Sequence, residues 1–177
     1  MLWLMLNEDR AAGPRFVGTG TVEYRATHPL QVVVGTSNEL RVVADENKRG
    51  LTLTARVVVT SFCSGNADRD AQIAEAMDAV RHPVITVHAV LPKALMPGPG
   101  EVSRLGVLAQ VEAHGVTVAH PIRLTLDFTD PHQPAAAFEL RESLRAHHIR
   151  APRILLMRVR DELAIWGRVQ LQQLPAG

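Results

Sequence analysis

The sequence predicts an all-β fold: a closed, mainly antiparallel barrel of about eight strands with one short α-helix. Apolar residues recur at every second position along most of the chain, as in half-buried strands. Short polar turns with glycine separate these segments, which favours antiparallel neighbours. One segment instead has the period of a helix. Closure of so many strands removes their edges, and a barrel of this size has room for one small ligand.

Two segments show the strand alternation most clearly. In Leu51–Val59 the odd-numbered residues are apolar, and Thr52, Thr54 and Arg56 lie on the other face. In Val116–Phe128 the even-numbered residues form the apolar face, and Pro121, on the opposite face, predicts a bend because proline cannot donate a ladder hydrogen bond. The short segment between residues 112 and 116 predicts a tight hairpin. The remaining predicted strands are residues 19–24, 30–34, 40–43, 84–91, 103–112, 136–144, 154–159 and 163–171.

The predicted helix covers residues 67–80. Its apolar residues Ile73, Met77 and Val80 follow the spacing of one helix face. Asn66 or Asp68 suits the N-cap position. The sequence therefore predicts many strands and one amphipathic helix.

Length and composition define the class of protein. A chain of 177 residues with 46% hydrophobic residues fits one domain with a substantial core. Its single cysteine, Cys63, excludes an intrachain disulfide. The 19 basic and 18 acidic side chains give a net charge of +1, which is too small to attract nucleic acid by bulk charge. No apolar run approaches the roughly twenty residues of a transmembrane helix, so none is predicted.

The first six residues are apolar, but polar residues 7–10 follow at once. A secretory signal needs a longer apolar core after a basic stretch, followed by a small-residue cleavage site. We therefore expect an N-terminal extension, residues 1–14, without a signal peptide, and a single barrel domain, residues 15–175. The missing signal favours a cytoplasmic location.

A motif surrounds the predicted helix. Residues Ser61–Asn66 contain the serine end of a strand and a Gly-Asn turn, and Arg69 and Asp70 follow at the start of the helix. Met77–Thr86 then leads through a proline into the next strand. In order and spacing, this pattern resembles the YceI-like family. Weaker similarities lie in residues 24–35, where a histidine precedes a glycine, and in residues 138–144 and 161–165. The resemblance thus covers nearly the whole chain.

The resemblance implies a non-catalytic protein without a cofactor that binds a long-chain amphipathic lipid in a lipocalin-like barrel. A polyisoprenoid, an isoprenoid quinone or a fatty-acid-like molecule would suit this function. Many relatives look exported, so the resemblance also allows a periplasmic location. A homodimer is left open as well.

The alternation identifies the side chains expected to line the cavity. Each buried methylene of a lipid tail contributes roughly 0.8 kcal/mol, so apolar side chains suffice to bind it. A slip of one residue in the register would turn a strand inside out. The predicted lining is Leu53, Ala55, Val57, Leu105, Val107, His120, Ile122, Leu124 and Leu126.

Three polar residues have two interpretations each. Arg69 and Asp70 either bind a lipid headgroup or form a helix cap with a structural ion pair. His120 lies on an apolar face, where it is either a core residue or the hydrogen-bonding partner of a quinone oxygen or headgroup.

Metal binding and cysteine chemistry are not expected from the spacing of the residues. His82 and His88, like His114 and His120, are six positions apart, or about 20 Å along a strand, which is too far for one metal ion. Cys63 has no histidine close in sequence and is expected to be a small buried residue. We therefore predict no metal site and no catalytic residue.

Two alternatives to lipid binding stay open. The common hydrolase, nucleotide-binding and zinc-protease motifs are missing, which leaves an enzyme of unrecognised class as the first. The second is an anionic surface or nucleic acid bound by basic residues, with a steep salt dependence as its mark. The acids among these arginines favour a solvated face instead, so no nucleic-acid partner is predicted. The arginines are Arg141, Arg145, Arg150, Arg153, Arg158 and Arg160.

Overall fold

The fold is described from a computed structural model that covers residues 13–154 and 157–175. Residues 1–12 of the predicted N-terminal extension lie outside this range. The helix is α1 (Ala67–Ala76), and 3-10 turns occur at Val59–Ser61, Lys93–Leu95 and Arg145–His147. The strands are β1 (Arg15–His28), β2 (Gln31–Asn47), β3 (Gly50–Val58), β4 (Val84–Pro92), β5 (Val102–Ala113), β6 (Val116–Asp127), β7 (Ala135–Ser143), β8 (Arg153–Ile154), β9 (Met157–Arg158) and β10 (Glu162–Gln173).

Eight of these strands close an antiparallel barrel in the order β1-β10-β7-β6-β5-β4-β3-β2. Closure occurs where the first strand pairs with the last, from Phe16 opposite Gln173 to Ala26 opposite Leu163. The short strands β8 and β9 form a separate two-stranded sheet. The predicted fold class, a closed barrel of about eight strands with one helix, is confirmed.

Three predicted strand assignments differ substantially from the structure, and the first is 19–24, which is only the central part of the longer strand β1. Predicted strands 30–34 and 40–43 are parts of the single strand β2, because its pairing with β1 continues through Gly35 and a bulge near Ser37. Of predicted strand 154–159, residues 155–156 lie outside the described range, and the residues on either side of them belong to the two-residue strands β8 and β9. Pairing with β1 therefore joins two predicted strands into one, whereas β8 and β9 pair with each other outside the barrel.

The β5–β6 hairpin has the predicted tight turn. Ala113 pairs with Val116, and the two residues between them, His114 and Gly115, have φ angles of 53° and 72°. Two positive φ values are typical of a type I′ turn, whose twist matches that of the flanking strands. The hairpin thus positions the start of β6.

Pro121 lies where β6 separates from β7. Pairing of β6 with β5 continues past this residue, but the β6–β7 ladder ends at Arg123 opposite Glu139. Proline has no N–H to extend a ladder, so the two backbones diverge at the predicted position. The 3-10 turn Arg145–His147 packs beside this divergence, where the His147 ring approaches the Val116 carbonyl.

Helix α1 begins where predicted and ends earlier. The Asn66 side chain accepts a hydrogen bond from the Arg69 N–H at 2.9 Å and is the N-cap. The chain turns at Asp78, with φ of 47°, and Val80 is 95% exposed, so its predicted place on the apolar helix face is wrong. In the part of the chain that the structure describes, no helix is long and apolar enough to cross a membrane.

The two ends of the barrel are packed differently. Leu51, Leu91 and Leu126 are at most 1% exposed at the end next to the β2–β3 turn, which we call the packed end. The rings of Phe16 and Phe128 meet there edge to face at 6.0 Å. The opposite end carries α1 and is called the helix end.

Replacement of Gly20 by alanine is expected to destabilise the barrel by about 1–3 kcal/mol or more, because added bulk must displace a packed backbone. A Cβ there would lie 1.8 Å from the Arg168 carbonyl oxygen. At Gly106 nothing lies within 4 Å of the position that a Cβ would occupy, so Gly106→Ala is the matched control, neutral or stabilising by less than about 1 kcal/mol. Urea denaturation measures both, and equal effects would contradict this account.

Candidate functional site

The barrel encloses a cavity of about 200 Å³ toward the helix end. All eight barrel strands contribute to its wall, and Ile73, Ala76 and Met77 of α1 and its following turn add to it. Apart from Tyr24 and Arg56, its lining residues are apolar. The cavity is therefore suited to an apolar ligand rather than to a polar one.

Only part of the predicted lining borders the cavity. His120 interacts with Glu142, while Leu105, Val107 and Leu126 belong to or pack against the buried core without bordering the cavity. Alternation shows which face a side chain occupies but not its depth, which depends on the stagger of the strands. The predicted residues on the cavity wall are Leu53, Ala55, Val57, Ile122 and Leu124.

Two aromatic side chains on the wall each lie against a glycine of the neighbouring strand. Tyr24 pairs with Gly35, and Phe138 pairs with Gly167. A Cβ on either glycine would lie 2.3 Å or less from the opposite ring. The missing Cβ atoms therefore let both rings lie close to the wall.

Tyr24 is a polar group in this apolar setting. Its hydroxyl is buried and has no hydrogen-bond partner among the residues that the structure describes. Burial, followed by the charge of Asp70, raises the pKa of Tyr24 to about 12. The phenol is thus neutral near pH 7 and able to donate a hydrogen bond. No spacing in the sequence singles out this residue as part of a site.

Arg69 and Asp70 both bind the loop that precedes α1. The Asp70 carboxylate accepts hydrogen bonds from the Ser64 N–H at 3.0 and 3.1 Å and from its hydroxyl. Arg69 donates to the Ser64 hydroxyl at 2.9 Å and to its carbonyl at 2.7 Å. These contacts support the structural interpretation of the pair, and a headgroup role stays a prediction.

His120, Glu142 and His147 form a cluster beside the cavity. The Nε2 atoms of His120 and His147 lie 2.7 and 3.2 Å from Glu142 Oε1. Burial lowers the pKa of His147, but its interactions with Glu142 and with backbone carbonyls outweigh this effect, so the pKa is raised. These residues are distant in sequence, and His147 lies in a 3-10 turn rather than on a strand, so the spacing of histidines could not reveal the cluster.

Two of the arginines between residues 141 and 160 have acidic neighbours. Arg141 forms an ion pair with Glu162 at 2.6 Å, with both side chains exposed. Asp161 accepts hydrogen bonds from the Ser143 hydroxyl and the Arg145 N–H, and the former lowers its pKa. This surface thus mixes both charges.

Cys63, expected to be buried, is exposed, because it pairs with Thr36 in an isolated bridge outside the core.

The barrel and its interior define a lipocalin-like fold with an apolar cavity. No protein-family model matches the chain, and no curated protein sequence matches it significantly. Similarity is found among solved structures. The similarity therefore lies in the backbone fold rather than in the amino-acid sequence.

A polyisoprenoid binding domain from Saccharophagus degradans, implicated in plant cell wall breakdown, superimposes with a TM-score of 0.73 and 10% identity. The match covers 89% of this chain and 98% of that one. BcnA from Burkholderia cenocepacia superimposes with a TM-score of 0.69 and 14% identity, over 85% and 95% of the two chains. At such low identities these similarities establish the fold, which is the one that the resemblance to the YceI-like family predicts.

Loss of the Asp70 carboxylate is expected to destabilise the protein. Asp70→Ala removes the acceptor of the Ser64 hydrogen bonds and should lower the free energy of unfolding by about 1–2 kcal/mol. Asp68→Ala, in the same exposed first turn, is the control and should cost less than about 1 kcal/mol. Thermal denaturation compares the two variants. Full stability of Asp70→Ala together with lost lipid binding would instead assign Asp70 to the headgroup.

The chain has one tyrosine, so the absorbance of tyrosinate reports Tyr24 alone. At about pH 11 a free tyrosine is mostly ionised, whereas Tyr24 in the folded barrel should stay mostly neutral. Because the folded pKa exceeds the unfolded value, this contribution to stability is complete below about pH 10 and is lost as the pH rises toward 12. Tyr24→Phe should keep its stability over this pH range. A tyrosinate midpoint near pH 10 in the folded wild type would contradict the buried position of the Tyr24 hydroxyl.

Proposed function

We propose that this protein is a non-catalytic carrier that holds the apolar tail of a long-chain amphipathic lipid in its barrel. A polyisoprenoid, an isoprenoid quinone or a fatty-acid-like molecule has the required chemistry. The apolar cavity is the observation that carries the proposal. The polyisoprenoid binding domain of similar fold supports it.

The energetics of the cavity favour a hydrocarbon chain. Each methylene transferred from water contributes roughly 0.8 kcal/mol, which offsets the entropy lost on binding once several methylenes are buried. The cavity of about 200 Å³ is smaller than the roughly 300–1,000 Å³ of sites that enclose drug-sized ligands. It therefore accommodates part of a long tail.

Tyr24 is the proposed contact for a polar atom of the ligand. Tyr24 borders the cavity, and its buried hydroxyl has no protein partner in the described structure, so a ligand oxygen that reached it would satisfy it. Asp70 and Arg69 lie close enough to influence its pKa. A lipid headgroup near Tyr24 would thus meet the start of α1.

The lining supports binding rather than catalysis. It contains no serine, cysteine, histidine or carboxylate among the described residues, and these are the groups that most nucleophilic and acid–base mechanisms use. The compartment and the homodimer stay predictions from the sequence.

A bulky side chain in the cavity is expected to block the lipid. Ala55 is only partly buried and lines the cavity, so the indole of Ala55→Trp would enter the space proposed for the tail. Native mass spectrometry and organic extraction of the purified protein measure the bound lipid. Wild type should yield a long-chain lipid, and the folded variant should yield less than about a tenth of it, a loss of roughly 1.4 kcal/mol in binding.

The control places the same indole on the outside of the barrel. Ala119 is exposed on β6, so Ala119→Trp should retain the lipid. Circular dichroism checks that both variants keep the barrel. The carrier function is refuted if wild type yields no long-chain lipid, or if Ala55→Trp and Ala119→Trp retain equal amounts.

A further inference from the structure

We propose that His120, Glu142 and His147 form a binding site for a divalent transition metal ion of the zinc class. One potential ligand atom from each residue lies within 4.8 Å of the other two. Two imidazole nitrogens and a carboxylate oxygen form a ligand set that suits zinc. The site lies outside the proposed lipid-binding surface and does not depend on it.

The orientation of His147 is that of a metal ligand. Its Nδ1 lies 2.9 Å from the Val116 carbonyl oxygen, and since a carbonyl only accepts hydrogen bonds, Nδ1 carries the proton of the contact. Nε2 then faces His120 and Glu142. Metal-binding histidines typically use one nitrogen in this way and present the other to the metal.

The burial of the cluster calls for a cation. The Glu142 side chain is 8% exposed and that of His147 is 1% exposed. Both Nε2 atoms and Glu142 Oε2 are buried without a hydrogen-bond partner among the described residues, so the close approaches to Oε1 lack hydrogen-bond geometry. A buried carboxylate is costly unless a positive charge compensates it, and a metal ion supplies that charge while it coordinates both nitrogens.

The surrounding structure holds Glu142 and His147 in place, and strand β6 positions His120 beside them. His120 lies on β6 just before Pro121, where β6 leaves β7, and Glu142 is near the end of β7. The Ser143 N–H donates to Glu142 Oε1 at 2.9 Å. The His114 ring approaches the His147 carbonyl oxygen at 3.1 Å, which links the 3-10 turn to the β5–β6 hairpin. Glu142 and His147 are thus oriented by contacts outside the cluster.

The ligand set also narrows the choice of metal. Calcium and magnesium prefer oxygen ligands, whereas imidazole favours zinc and its neighbours. Three protein ligands leave a fourth tetrahedral position for water or another small ligand. The His120 side chain is 19% exposed, which leaves a path to the site.

Isothermal titration of the untagged, chelator-treated chain with Zn²⁺ near neutral pH tests the proposal. One Zn²⁺ should bind per chain, and His120→Asn and Glu142→Gln should each weaken binding more than about tenfold. His132→Gln is the matched control, because this exposed histidine contacts Gln173 away from the cluster and should leave the affinity unchanged. Tetrahedral Co²⁺ in wild type should show visible absorption that His120→Asn loses.

Circular dichroism confirms that each variant is folded before titration. His120→Asn decides the test even if a change at the more buried Glu142 unfolds the chain, because the His120 ring is partly exposed. A wild-type chain that binds no Zn²⁺, or a His120→Asn variant with wild-type affinity, would overturn the proposal. Lipid extraction from the same variants is independent, so loss of metal with retained lipid would leave the carrier function intact.

Discussion

Closure of the sheet through β1 is the constraint on which the rest of the structure depends. This strand pairs with β2 on one side and with β10 on the other, so the first and last barrel strands become neighbours. Closure removes the edges that a long sheet would expose. Closure also directs one face of every strand into the barrel. Each inward side chain must then pack against other side chains or border enclosed space.

The barrel interior is closely packed at one end and encloses a cavity toward the other. The packed end is filled by leucines and the Phe16–Phe128 pair, whereas the helix end retains a cavity of about 200 Å³. At roughly 24 cal/mol per Å³, such a cavity costs on the order of 5 kcal/mol when it is unfilled. Gly35 and Gly167 help to keep it open, because they let two rings lie close to the wall. A bound hydrocarbon chain would recover part of this cost.

The polar groups of the helix end are placed by the irregular parts of the barrel. Divergence of β6 from β7 leaves room for the 3-10 turn that carries His147 beside Glu142. The loop before α1 binds Asp70 and Arg69 next to Tyr24. Each site thus combines a polar side chain on a barrel strand with groups that an irregular segment supplies.

The sequence by itself determined the fold class, a helix start at Asn66 or Asp68, the tight turn at His114–Gly115 and the inward face of β3 and β6. These are local properties, because alternation, capping and turn chemistry act over a few residues. Only the tertiary structure decided which inward residues reach the cavity, as the contrast between Leu124 and Leu126 shows. It also decided that His120, Glu142 and His147 meet, since strand stagger and loop packing join residues that no local pattern connects.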